Sequence, residues 1–405
     1  MSGGVDSAVV AALLCEAGYD VIGVTLILWK DEGEEEKRWQ DRSCCKVGVA
    51  RHVAKQLAIP HHTIDVQDSF RKAVIDDFCD TYLLGQTPNP CVRCNERIKF
   101  TQLLAAARQL GSDFLATGHY ARIKKEQNGF TLQKAIDPAK DQSYFLYRLN
   151  QETLASTLFP LGEMTKAQVY EKAAALGLPY EEILESQEIC FVNQQDYRTV
   201  LEQYRPEAVA PGNIVTQSGD VVGTHNGVAF HTVGQRRGLG VALGTRLYVT
   251  RIDPATKEVI VGEESDLMQD TLVADQVIWP CAGSERPGHV VADENIADVL
   301  DKKEVFITCD DAASPRATNG SGPFAAPVGT GPLGLRVEAK VRYRSPEQPA
   351  TIIIATGNTF KLLFDQPVRG ISPGQSVVLY RGDSVVGGGI IGPATHTDQS
   401  LLFPI

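Results

Sequence analysis

Ser2-Gly3-Gly4-Val5-Asp6-Ser7, followed at once by an apolar run, is the stretch whose reading decides the fold. A short Gly-rich turn that opens directly into a helix is a place to hold phosphate. Gly3 and Gly4 carry no Cβ and are able to take φ > 0, so backbone N–H groups can converge on an oxyanion. The helix predicted next has Val9, Val10, Leu13 and Leu14 on one side and closes at Gly18. Its dipole sets positive charge at the same point. Ser2 and Ser7 offer hydroxyls to phosphate oxygens, and Asp6 is suited to hold Mg²⁺ or to orient the loop. The bland reading of the hexapeptide is a Ser/Gly cap on an ordinary helix.

The string is neither G-x-x-x-x-G-K-[ST] nor G-x-G-x-x-G, so it lacks the lysine of a kinase-type loop. S-G-G-x-D-S resembles the pyrophosphate loop of ATP pyrophosphatases, which split ATP into AMP and pyrophosphate and adenylate a substrate. Such a loop should follow a buried strand. Only Met1 precedes Ser2, so either the true start lies upstream, which is the reading favoured, or the sheet has lost a central strand.

Outward from the loop, residues 21–29 are a continuous β-rich apolar run, as for a strand buried on both faces of a parallel sheet. An acidic stretch from Asp31 to Glu36 reads as a solvated loop. Helix is predicted over 47–57, strand over 62–66, helix over 69–84 and over 98–110, and a short strand over 114–117. Alternation of this kind implies an α/β fold with a doubly wound parallel sheet and ligands at the carboxyl ends of its strands. The opening loop and Gly118-His119 both fall at such ends.

From Gln151 to Tyr204 the pattern is helical, with Thr165 capping Lys166 to Leu176. Near Pro206 the character changes to short β runs (214–216, 228–230, 247–249) between Gly-Asp and Asn-Gly turns. The predicted domains are 1–204, 205–266 (a small β domain) and 267–405 (a β-barrel). Residues 312–335, rich in Gly, Pro, Ala and Ser, read as an insertion in the last.

A length of 405 residues suits two or three domains, and 43% hydrophobic residues suffice for real cores. No apolar run approaches the roughly 18 residues of a membrane span, and no signal peptide is visible. Nine cysteines in such a chain are no disulfide scaffold. They read as cytoplasmic core residues plus a few reactive or metal-binding thiols. The net charge of −11 argues against indiscriminate nucleic-acid binding, yet leaves room for a specific RNA on local basic patches.

Thr87-Pro88-Asn89-Pro90-Cys91-Val92-Arg93-Cys94-Asn95, placed between two helices, is the second signal. Its C-x-x-C suits a redox pair, half a zinc site or part of an iron–sulfur site. Cys44-Cys45 is a poor second pair for zinc, because neighbouring residues seldom both ligate one tetrahedral ion. The bland reading is two buried cysteines. The third signal is Ser186-Gln187-Glu188-Ile189-Cys190-Phe191. Its cysteine alone would be a core residue; beside the loop and the C-x-x-C it becomes a candidate sulfur carrier.

S-G-G-V-D-S, T-P-N-P-C-x-x-C-N-x-x-I-K-F, A-T-G-H-Y-A-R, K-D-Q-S-Y-F-L, Q-E-I-C-F, G-Q-R-R-G-L-G and V-R-Y-R occur in that order. On these motifs the chain resembles the tRNA-specific 2-thiouridylase family from Met1 to beyond Gln375. The resemblance implies an ATP-pyrophosphatase domain, a small β domain and a C-terminal β-barrel. It also implies thiolation of the wobble uridine in tRNAs for Lys, Glu and Gln, with sulfur from a donor protein or cysteine desulfurase. Ser2, Gly3, Gly4, Val5, Asp6, Ser7, Leu26 and Gly118 would hold ATP, with Mg²⁺. Cys94 and Cys190 would be the catalytic pair, and Asn89, Pro90 and Cys91 would face the target base. His119, Lys140, Asp141, Gln142, Arg342, Tyr343 and Gln375 would contact tRNA. For Tyr343 the alternative is packing in the barrel, and for Arg236-Arg237 a solvated turn.

One departure stands out. Some members of the family have an aspartate where this chain has Cys91. The thiol instead permits Cys91, Cys94 and Cys190 to hold a [4Fe–4S] cluster with one open iron, as proposed for related tRNA thiolases. The rival readings are an ATP-pyrophosphatase amidotransferase or ligase acting on a small molecule, and an RNA-binding protein with a relic loop.

Overall fold

The computed structural model describes residues 1–28, 47–178, 189–192, 196–241, 244–280, 334–355 and 358–393. The readings of Asp31 to Glu36, Cys44-Cys45, Ser186 to Glu188 and residues 312–333 lie outside the described residues.

The apolar run after the loop forms helix Val5–Glu16, with Val5, Ala8, Val9, Val10, Ala11 and Ala12 buried. Apolar residues cover most of its circumference, so it is a core helix rather than a surface one. Strand β1, Gly23–Ile27, pairs in parallel with β2, His61–Asp65, through helix Val47–Gln56. A second parallel pair joins β3, Leu115–Ala116, to β6, Thr157–Leu158. Among the described residues these two pairs do not hydrogen-bond to each other. A cleft of about 800 Å³ lies between them, lined by Leu26 and Leu28 on one side and Leu115 to His119 on the other. The α/β reading holds, with the parallel strands in two halves.

Three local expectations are corrected. The C-x-x-C does not lie in a loop between helices, because the second helix starts at Pro90. Asn89 caps it, and proline at the first helical position has neither an N–H to satisfy nor a φ to adjust. The helix continues through a π-wound stretch, Asn95–Leu103, to Gln109. The stretch expected to be helical from Gln151 instead contains β6, placed where Leu115 N–H donates to Ser156 C=O at 2.8 Å. Residues 228–230 form one 3₁₀ turn, not a strand.

Beyond helix Tyr197–Tyr204, strands β7 (Gly212–Thr216), β8 (Val221–His225), β9 (Tyr248–Asp253) and β10 (Glu258–Gly262) form a four-stranded sheet in the order β8-β7-β10-β9. The C-terminal strands are β11 (Met268–Ile278), β12 (Leu335–Lys340), β13 (Gln348–Ala355), β14 (Phe360–Arg369), β15 (Ser376–Arg381) and β16 (Ser384–Ile391). They run β11-β14-β13-β12-β15-β16, and a β11–β16 pairing closes the barrel. Closure removes both sheet edges. A hairpin of the first domain, β4 (Ala121–Glu126) and β5 (Gly129–Lys134), joins this sheet beside β16. No helix among the described residues is long and apolar enough to cross a membrane.

Candidate active site

The phosphate end is stitched by its own hydroxyls. Ser2 N–H donates to Ser7 Oγ at 3.2 Å, Gly4 N–H to Ser2 Oγ at 3.3 Å, and Ser7 Oγ–H to Gly4 C=O at 2.9 Å. Only Gly3 takes the left-handed conformation, φ +76°. Gly4 is extended, φ −86°, ψ 158°, as a residue capping a helix should be. Gly118 has a different reason to be glycine. A Cβ there would meet Asp6 Cβ at 3.1 Å and the Asp6 and Ser7 backbone at 3.2 Å, so the loop after β3 lies directly on the first turn of helix Val5–Glu16. Ser2, Asp6, Ser7, Leu26 and Gly118 all line the cleft; Gly3 and Val5 are buried beneath it.

Asp6 is held from behind. Its Oδ1 accepts from the Tyr120 hydroxyl at 2.7 Å and from Lys166 Nζ at 2.8 Å. Lys166 is itself buried and lies against the Tyr120 and Tyr170 rings. Sequence reasoning missed both partners. Thr165 is legible as a helix cap, but nothing local marks Lys166, whose meaning comes from Asp6 and the tyrosine rings it packs on. One carboxylate beside a triphosphate is a common arrangement for Mg²⁺, and Asp6 fits it.

The sulfur end lies on helix 90–109. Cys91 and Cys94 are three residues apart and so lie on neighbouring parts of one helix face. Cys94 is buried in an apolar cluster with Phe78, Tyr82, Ile98 and Phe191, and Cys190 packs against the same cluster. Cys91 is exposed. Packing around its sulfur and the nearby Cys190 push its thiol pKa up, while the Lys99 ammonium pulls it down. Among the described residues no three His, Cys, Asp or Glu side chains converge to hold a metal ion.

The remaining predicted residues divide into three groups. His119 and Gln142 line the cleft. Gln142 exchanges bonds with Tyr120, its Oε1 accepting at 2.9 Å and its N–H donating at 2.8 Å. His119 Nδ1 meets Thr117 Oγ at 2.7 Å, and burial with the Lys99 charge drives its pKa well below 6.5. Asp141 is buried, accepting from Ala135 and Ser143 N–H at 3.0 and 3.2 Å and from the Ser143 hydroxyl at 2.8 Å. Lys140 beside it is half-buried.

Barrel residues reach the sulfur end. Tyr343 packs on Phe145 with ring centroids 4.3 Å apart and lies close enough to Cys91 to feel its charge. Gln375 Nε2 donates to Thr87 C=O at 3.1 Å and Pro88 C=O at 2.9 Å. Thr87 N–H donates to Pro373 C=O at 2.8 Å. Arg342 bridges Val233 C=O, at 3.1 Å, and the Ser372 hydroxyl. It therefore joins the small β domain to the barrel. Pro90 is buried and Asn89 half-buried, while Arg236 and Arg237 are exposed.

Three sequence families match in succession. One described as a tRNA methyl transferase HUP domain covers residues 1–194, a tRNA methyl transferase PRC-barrel domain 198–263, and an aminomethyltransferase beta-barrel domain 329–391. The tRNA-specific 2-thiouridylase MnmA of Moorella thermoacetica is 44% identical over 96% of this chain and 98% of its own. The protein of the same name from Geotalea uraniireducens is 42% identical over 99% and 96%. Among solved structures, the U34-tRNA thiolase NcsA from Methanococcus maripaludis with its [4Fe-4S] cluster is 20% identical at a TM-score of 0.29, covering 51% of this chain and 65% of that one. That likeness is too slight to bear on function.

Proposed function

The chain belongs to the tRNA-specific 2-thiouridylase family, and from that premise we propose that it replaces the C2 oxygen of the wobble uridine with sulfur in tRNAs for Lys, Glu and Gln. The observation that carries this reading is one helix serving two chemistries. Helix 90–109 presents Lys99 to the cleft of Ser2, Asp6, Ser7 and Gly118, and carries Cys91 and Cys94 one to two turns away. A ligase acting on a small molecule has no use for the second half of that arrangement.

The uracil C2 carbonyl is a poor electrophile, and oxide is an unusable leaving group. Attack of O2 on the α-phosphate of ATP releases pyrophosphate and turns the oxygen into part of an AMP leaving group. Backbone N–H groups at the start of helix Val5–Glu16, with the Ser2 and Ser7 hydroxyls, take up the charge of the departing pyrophosphate. Mg²⁺ held at Asp6 would add Lewis-acid stabilisation of the phosphates.

Sulfur then arrives as a persulfide on Cys190, loaded by a cysteine desulfurase or its carrier. The terminal sulfur attacks C2 and AMP departs. The Cys94 thiolate attacks Cys190 Sγ, the S–S bond breaks, and its electron pair stays on the sulfur bound to C2. The products are 2-thiouridine and a Cys94–Cys190 disulfide, which an external thiol must reduce. Burial of Cys94 keeps water from that sulfur. The target uridine must be splayed from the anticodon loop to reach the site.

Incubating the protein with unmodified tRNA, ATP and a persulfide donor tests the reading. The expected result is oxygen-to-sulfur exchange in the anticodon nucleoside, detected by mass spectrometry, with one AMP per thiouridine. AMP release that does not require tRNA would instead support the small-molecule ligase.

A further inference from the structure

Basic side chains on helix 90–109 are neutralised with one exception. Arg93 faces Asp77 at 3.4 Å and Glu96 at 3.3 Å, Arg97 faces Asp77 at 3.6 Å, and Arg108 faces Glu152 at 2.9 Å. Lys99 is half-buried in the cleft wall, and among the described residues it has no carboxylate within ion-pair distance. A cation kept without a counter-ion in a ligand cleft is suited to an anion brought by the ligand. Cys91, Asn95 and Lys99 recur at four-residue spacing, so the helix sets them on one side. Lys99 falls within the π-wound stretch Asn95–Leu103, a distortion frequent at functional sites.

We propose that Lys99 is the cation used by both halves of the reaction, binding phosphate oxygens of the nucleotide in the cleft and stabilising anionic sulfur at the Cys91–Cys190 edge. It would stand where a kinase-type loop has its lysine, supplied from another helix. The inference rests on the thiolation reading above. The groups around the ammonium agree with it. His119 is held neutral partly by its charge, and the Cys91 thiol is drawn down by the same charge against the pull of burial and Cys190. Tyr343 of the barrel lies near Cys91.

The test uses the full chain with Lys99→Met and Lys99→Arg. Binding of α,β-methylene-ATP is followed by calorimetry, and iodoacetamide labelling of Cys91 and Cys190 between pH 7 and 9.5 is followed by peptide mass spectrometry. Lys99→Met should weaken analogue binding about 10-fold, with Lys99→Arg restoring it to within about 3-fold, as a lost charge-assisted contact would. Labelling at pH 8 should slow about 3-fold or more in Lys99→Met, with the apparent thiol pKa moving up. Appearance of only one of the two effects overturns the shared role, and absence of both overturns the assignment entirely. If the wild-type protein binds the analogue but thiolates no tRNA, the thiolation reading fails, while the binding and labelling results still decide the role of Lys99.

Discussion

Residues 2–7 hold themselves in place, whereas residues 87–94 are held from another domain. The phosphate loop closes on Ser2, Gly4 and Ser7, with Gly118 and the Lys166–Asp6 pair pressed behind it. The Thr87-Pro88 segment is fastened by Gln375 and Pro373 from the barrel. Just inside it, Arg93 reaches Gln276 of β11 at 2.9 Å. The hydrogen bonds that fix the phosphate loop thus lie within one domain, while those that fix the Thr87-Pro88 segment come from the barrel. In the proposed reaction such a division would complete the sulfur end only when the barrel is in place.

The strongest way to break the comparison is to disable each end separately. Asp6→Ala should abolish both pyrophosphate release and thiolation, because in the proposed reaction adenylation precedes sulfur transfer. Cys190→Ala should cut thiolation, and the AMP release that accompanies it, at least about 10³-fold, as loss of a nucleophile does, yet leave tRNA affinity and a single-turnover burst of tRNA-dependent pyrophosphate near wild type. Parallel assays of pyrophosphate and thiouridine decide it. Equal loss of the pyrophosphate burst in Cys190→Ala would mean that the two ends do not act independently.

A milder lesion sharpens the phosphate end. Gly118→Ala places a methyl 3.1–3.2 Å from Asp6 and Ser7 atoms, most of them backbone, which cannot swing aside as a flexible side chain would. ATP affinity should fall about 10-fold, the scale of a displaced anion-binding turn, with cysteine labelling unchanged. Slower labelling in this variant would tie the ends more closely than the hydrogen bonds suggest.

The same contrast explains what the sequence made legible. The phosphate end was readable because its determinants are local: six consecutive residues, then an apolar helix. Gly118 was recognised by motif, but its contact with Asp6 belongs to the fold. The C-x-x-C is legible as a motif but not in its place, because Asn89 and Pro90 suit a loop as well as the helix start they form. Tyr120, Lys166 and Lys99 carry no local signal, since their meaning comes from tertiary partners. The hairpin β4–β5 was not foreseen either. Its partner β16 is some 250 residues away, beyond the reach of any local pattern.

At the sulfur end, Gln375→Ala removes both donors to the Thr87 and Pro88 carbonyls. Each bond is worth about 1 kcal/mol, so the segment should loosen without unfolding. The expected result is a fall in thiolation kcat of about 10-fold, with KM for ATP unchanged; Gln375→Glu, which sets a carboxylate against two carbonyls, should be worse. A change confined to KM for tRNA would instead make Gln375 an RNA contact alone.

The smallest effect separates the ends by pH. His225 and His231 are buried with ring centroids 5.2 Å apart, and neither Nδ1 has a hydrogen-bond partner. Burial, His225 and Arg198 lower the His231 pKa to about 4. Its pKa is depressed below the unfolded value, so the unfolded chain binds the proton first. Stability is unaffected above about pH 6.5 and falls as pH drops from there towards 4, by about 1.4 kcal/mol per unit. The penalty falls on the seam with helix Tyr197–Tyr204, whose Tyr197 stacks on Tyr82 at 4.9 Å in the Cys94 cluster. Between pH 7 and 5 the wild-type urea midpoint should drop, and Cys94 should become accessible to alkylation before nucleotide binding is lost. His231→Gln should flatten that pH dependence, since glutamine cannot be protonated in this range; an unchanged slope would assign the acid sensitivity to other groups.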